Sequence, residues 1–109
     1  MQGFLKYGVN LSMPRQAAKA DANAKDIDRE LESRGASVAK TDGVGVGFPD
    51  RVIGLNGRNF LLEYKDGKKP LSKQRLNEYQ QQWHKRWKGQ VAVVTSPEQA
   101  VKVVFETDE

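Results

Sequence analysis

Asp50, Glu63 and Lys65 are the residues whose types and spacing could do chemistry. They lie in the stretch FPDRVIGLNGRNFLLEYKDG, positions 48–67. This stretch reads as a β-hairpin turning on Asn56-Gly57, because Asn-Gly suits a type I′ turn, where both central residues need positive φ. Leu55 and Arg58 then flank the turn. Counting outward sets Ile53 against Phe60, Arg51 against Leu62, and Asp50 against Glu63. Opposed side chains lie about 4.5–5.5 Å apart between Cβ atoms, where like charges destabilise. Alternation puts Asn59, Leu61, Glu63 and Lys65 on one face and Phe60, Leu62 and Tyr64 on the other. Two carboxylates and an ammonium therefore cluster on one patch.

Such a patch can be a solvated face on which Lys65 relieves the acid pair, as exposed charges usually are. It can also be a hard-cation site, since oxygen ligands suit Mg²⁺ or Mn²⁺, which take one or two carboxylates and keep several waters. The register favours the cation. With no cysteine and a single histidine, His84, disulfides, thiolate zinc sites and multi-histidine sites are excluded, so any metal is held by oxygen.

The elements that must position these residues fit one domain. The chain has 109 residues, enough for one core and too few for two ordinary domains. Positions 1–16 read as an N-terminal extension and 17–109 as the folded unit. No apolar run approaches the roughly 18–20 residues of a membrane span, and MQGFLKYGVNLS lacks the apolar core of a signal peptide. The expected location is the cytoplasm, with no membrane partner.

Over 17–34, Ala20, Ala24, Ile27 and Leu31 follow helical spacing, and Gly35 stands where a helix C-terminal glycine belongs. Asp21 and Asp28 fall on one flank of that helix, and Asn23, Glu30 and Arg34 on the other. ASVAKTD makes a short strand. The glycines of GVGVGFPD permit close backbone approach and position Pro49 and Asp50. They fit neither a P-loop nor a dinucleotide fingerprint, so no nucleotide cofactor is expected.

Beyond the hairpin, Ser72 is the expected N-cap of a helix over 73–87, with Leu76, Tyr79, Trp83 and Trp87 as a core-facing stripe. QVAVVTS reads as a buried strand, and Ser96-Pro97 opens a last short helix. The order helix, strand, hairpin, helix, strand, helix predicts an α/β fold with a mixed sheet flanked by helices. The net charge of +4 is concentrated: Lys68, Lys69, Lys73, Arg75, Lys85, Arg86 and Lys88 face a single acid, Glu78.

GFPD, then LLEYK after a hairpin, then LSKQ opening a basic helix resembles the PD-(D/E)xK nuclease pattern, and within it the small stand-alone VRR-NUC type of phages and bacteria. The resemblance covers about 21–104, and Pro-Asp or Glu-x-Lys alone would be a weak signal. It implies a restriction-endonuclease-like core of α-β-β-β-α-β-α order in a bacterial cytoplasm, phage-encoded in some relatives. It also implies roles. Asp50, Glu63 and the Tyr64 carbonyl would hold Mg²⁺ or Mn²⁺, with Asp21 or Asn23 of the first helix as a further ligand and Glu30 as the alternative. Lys65 would position or activate the attacking water, and Gln74 would line the site.

On this reading the chain is a metal-dependent DNA endonuclease. Lys68, Lys69, Lys73, Arg75, Lys85 and Arg86 then become candidates for phosphate contacts, which give affinity without reading sequence. The resemblance further implies a homodimer acting on branched DNA such as a Holliday junction. The competing expectations are an inactive nucleic-acid-binding module and a phage assembly or interaction protein.

Overall fold

The computed structural model describes residues 22–106. Its elements are α1 (Ala22–Ser33), β1 (Ser37–Lys40), β2 (Arg51–Leu55), β3 (Arg58–Tyr64), α2 (Leu71–Gln74), α3 (Glu78–Arg86), β4 (Val91–Val94) and α4 (Pro97–Phe105). Four strands form one mixed sheet in the order β1-β2-β3-β4, antiparallel except for the parallel pair β3–β4. The extension expected over 1–16, and the first turn of the helix expected from 17, lie outside the described residues.

The hairpin follows from its turn. Asn56 and Gly57 have φ of 54° and 78°, and Leu55 pairs with Arg58. That register faces Ile53 and Phe60 to one side together with Leu62, where α1 and α4 close a core of Ile27, Leu31, Ala100 and Val104. Gly35 ends α1 at φ 102°. Its N–H donates to Glu32 O at 3.0 Å and the Ala36 N–H to Leu31 O at 3.1 Å, the paired bonds of a Schellman cap. Ser96 caps α4 by accepting from the Gln99 N–H, with Pro97 in the first turn.

The helix expected over 73–87 is two helices. Arg75 is extended, with φ −82° and ψ 153°, which ends α2. Ser72 lies inside that short helix and caps nothing. Asn77 is the N-cap instead. Its side chain accepts from the Gln80 N–H and the Gln80 side chain accepts from the Asn77 N–H, a complete capping box. A reciprocal cap satisfies two otherwise orphaned donors, and it outweighs continuing one helix through Leu76.

The expected core stripe does not form either, because no residue of α3 is buried. Trp83 packs edge-on against Phe48 with ring centroids 5.2 Å apart and stacks on Trp87 at 4.7 Å. Tyr79 is exposed. Among the described residues no helix is long and apolar enough to cross a membrane.

Candidate active site

The face of β3 opposite the core carries the chemistry. Both faces of this strand are covered, so Glu63 is 2% exposed, which removes the solvated-patch reading. Asp50 stands one residue before β2 and is half-buried. With β2 ended, its Oδ2 takes the ladder's place and accepts from the Tyr64 N–H at 2.8 Å. Glu63 Oε2 accepts from Gln80 Nε2 at 2.8 Å and lies 3.6 Å from Lys65 Nζ. Lys65 Nζ donates to Gln80 Oε1 at 3.1 Å. Gln80 thus bridges acid and lysine, while Glu63 Oε1 is buried with no hydrogen-bond partner.

Burial, and then the Asp50 charge, push the Glu63 carboxyl up to about 7, against the pull of Lys65. Burial also raises Asp50, against the opposing hydrogen bond from the Tyr64 N–H. Two acids held this close and dry cannot both be charged without a compensating cation.

A buried network sets the backbone under this pair. Arg51 Nε donates to Asp28 Oδ1 at 2.9 Å, and a second nitrogen donates to Asp28 Oδ2 at 3.0 Å. The Tyr64 hydroxyl donates to Asp28 Oδ1 at 2.9 Å. The Arg51 guanidinium lies over the Tyr64 ring at 4.9 Å and donates to the Asp50 carbonyl at 2.9 Å. Helix α1 is thereby tied to the strands on either side of the acid pair. Thr41 closes the loop that leads to Asp50, through its N–H to Asp50 O at 2.8 Å and its hydroxyl to Pro49 O at 2.9 Å.

The residues singled out from the sequence fall in different places. Asn23 lines the cleft with Asp42, Asp50, Tyr64, Lys65 and Asp66, where its Nδ2 donates to the Lys65 carbonyl at 3.0 Å. Asp21 lies outside the described residues. Glu30 is turned away, paired with Arg34 at 2.7 Å on the surface. Gln74 does not reach the carboxylates. Its Nε2 donates to Lys69 O at 2.7 Å and Gly67 O at 3.3 Å, tying down the connector after β3.

Gln80 occupies the place expected of Gln74. The break at Arg75 moves the helix start to Asn77 and with it the glutamine that faces β3. The Asn-x-x-Gln capping spacing at 77–80 was the signal that could have found it. Asp28 and Arg51 were also missed, since a helix-flank acid and a strand arginine give no local sign of pairing across 23 residues. Lys68, Lys69, Lys73, Arg75, Lys85 and Arg86 are all exposed. His84, one turn beyond Gln80, has its Nε2 buried without a partner, and burial together with the Lys65 charge lowers its pKa.

This architecture has a counterpart among solved structures. A chain described as "VRR_NUC domain" superposes with a TM-score of 0.62 and 26% sequence identity, covering 79% of this chain and 94% of that one. The chain has the VRR-NUC fold. No family model and no curated protein matches it. The VRR-NUC match agrees with the nuclease pattern read from Asp50, Glu63 and Lys65, and a fold of this kind suggests a nuclease.

Proposed function

We propose that the chain is a divalent-metal-dependent endonuclease that hydrolyses DNA phosphodiesters, with Asp50, Glu63 and Lys65 at its centre. One observation carries this reading. Glu63 Oε1 is buried without a partner beside a second carboxyl, and such an acid pair is destabilising unless a shared proton or, at higher pH, a cation completes it. The donor set fits Mg²⁺ or Mn²⁺. Asp50, Glu63 and the Tyr64 carbonyl would hold the ion, with water or phosphate oxygens for its remaining positions. Among the described residues no three His, Cys, Asp or Glu side chains converge.

When bound, the ion supplies Lewis-acid polarisation of the phosphate and a more acidic water. The chain's own groups do the rest. Lys65, fixed by Gln80 and Glu63, orients the attacking water and adds positive charge beside the phosphate. Asn23 holds the Lys65 backbone in place. The water oxygen bonds to phosphorus as the bond from phosphorus to the leaving oxygen breaks, the water's proton passing to solvent and the leaving oxygen taking one from solvent. The exposed cations at 68–88 serve as phosphate contacts, which favour recognition of DNA shape over sequence. Branched DNA, including four-way junctions, is the expected substrate. A homodimer, with one active site for each of two strands, is the expected assembly.

The test is cleavage of labelled duplex, flap and four-way-junction DNA with Mg²⁺ or Mn²⁺. Cutting that needs the metal and is abolished by Lys65→Ala supports the assignment. A folded protein that binds DNA equally with and without metal, and cuts none of the three, makes it a binding module.

A further inference from the structure

Beside the site stand two side chains that no internal packing explains. Val46 is 78% exposed and Tyr79 is 72% exposed. Their backbones run side by side, because Gly47 lies so close to α3 that a Cβ on it would meet the Tyr79 carbonyl oxygen at 2.5 Å. Val46 has φ 48°, between Gly45 at 84° and Gly47 at 87°. A β-branched residue in the left-handed region is strained, and here its methyls gain no burial in return. The strained tip is also held firmly, by the Thr41 clamp at its base and by Phe48 against Trp83.

The surroundings identify what would cover this ridge. Tyr79 directly precedes Gln80, which touches Glu63 and Lys65, and Val46 lies four residues before Asp50. Two helical turns along α3 from Tyr79 stands Arg86, on the same stripe, and Arg86, Lys85, Lys73 and Arg75 are all exposed. An aromatic and an aliphatic tip flanked by cations match a polyanion that presents flat apolar faces. Unpaired nucleobases are that partner, because aromatic side chains stack on them and apolar wedges open base steps.

We infer that Val46 and Tyr79 form a ridge that stacks on an unpaired or unstacked base next to the phosphate to be cut. This rests on the nuclease reading and deepens it. Opening a paired, stacked duplex costs free energy that a bubble, flap or junction does not require, so the ridge selects DNA whose bases are already free.

The test is binding measured by fluorescence anisotropy, with Ca²⁺ in place of Mg²⁺ to prevent cutting. A fully paired duplex is compared with the same duplex carrying a short bubble. Wild type should prefer the bubble by about tenfold. Tyr79→Ala should remove most of that preference and Tyr79→Phe should keep it. Val46→Asn should weaken it while melting no lower than wild type, since asparagine tolerates positive φ. Folded Tyr79→Ala and Val46→Asn proteins that retain the full preference would overturn the ridge. So would a wild type without preference. In either case, metal-dependent cutting abolished by Lys65→Ala would leave the nuclease reading standing. Wild type that neither binds nor cuts DNA would remove both. If either variant instead dissociates an oligomer in sedimentation, the ridge is an interface between copies and the inference fails.

Discussion

At the scale of single residues, Glu63 carries a burden that pH should reveal. Burial and Asp50 push its carboxyl from 4.5 up to about 7. Between those values the folded chain binds more protons than the unfolded one. The stability this group contributes is therefore greatest at low pH, falls as pH rises through that window, and is lost above it, while the lowered His84 pKa works in the opposite direction. The size is about 3 kcal/mol at roughly 1.4 kcal/mol per pH unit. Melting curves in chelator at pH 5 and pH 8 should show the loss, and Glu63→Gln should flatten it and melt above wild type at pH 8. Mg²⁺ or Mn²⁺ should restore wild type at pH 8 and do little for the variant. Gln80 gives the second prediction at this scale. Gln80→Ala should cut metal-dependent cleavage by about 10–100-fold, as loss of groups that orient metal ligands does, whereas Gln74→Ala should cost far less. The acid pair was legible because a turn of known type sets the register opposite it. Gln80 was not, because two polar caps compete for one helix start and Ser72 stands first in the chain.

At the scale of elements, the Asp28–Arg51–Tyr64 network ties α1 to the strands that carry the site. Asp28 accepts from both Arg51 and Tyr64, and removing it leaves the buried Arg51 guanidinium with only the longer, half-exposed pairing to Asp42 at 3.8 Å. Asp28→Ala should destabilise the fold by about 3–5 kcal/mol in urea denaturation. A loss below about 1 kcal/mol, the range of an exposed ion pair, would contradict the network. The strands and α4 were readable from β-branched runs, Asn-Gly and Ser-Pro. The packing of α3 was not, because the periodicity of Leu76, Tyr79, Trp83 and Trp87 is the same whether a stripe faces a core or a ligand. Only the tertiary structure distinguishes them, and here the stripe stays half-exposed.

At the scale of the whole molecule, the charge is lopsided. The seven cations at 68–88 against one acid belong to α2, α3 and their flanks, the elements that adjoin Gln80. DNA affinity should therefore fall steeply with salt, and replacing Lys85 and Arg86 by glutamine should lower the log–log salt slope by about one for each phosphate the pair neutralises. An unchanged slope would remove those two from the phosphate track. The sheet's composition and the element order were legible in the sequence. The extra break at Arg75 was not, since the local Asn77–Gln80 cap competes with Ser72 for the helix start.

The Asn56-Gly57 turn also orders events in time. A hairpin closes in about 1–10 μs, whereas the parallel β3–β4 pairing must wait for a long crossover and the entropy cost of closing it. In folding, Asp50 and Glu63 can therefore be brought opposite one another before Gln80 docks against them. The chain then passes through a stage in which the acids are opposed and Lys65 has no Gln80 to hold it. The burial that raises the Glu63 pKa comes only with the finished fold, so an open hairpin leaves both carboxylates hydrated and charged. The hairpin alone gathers the two carboxyls, and only the docking of α3 adds the Gln80 bridge between Glu63 and Lys65.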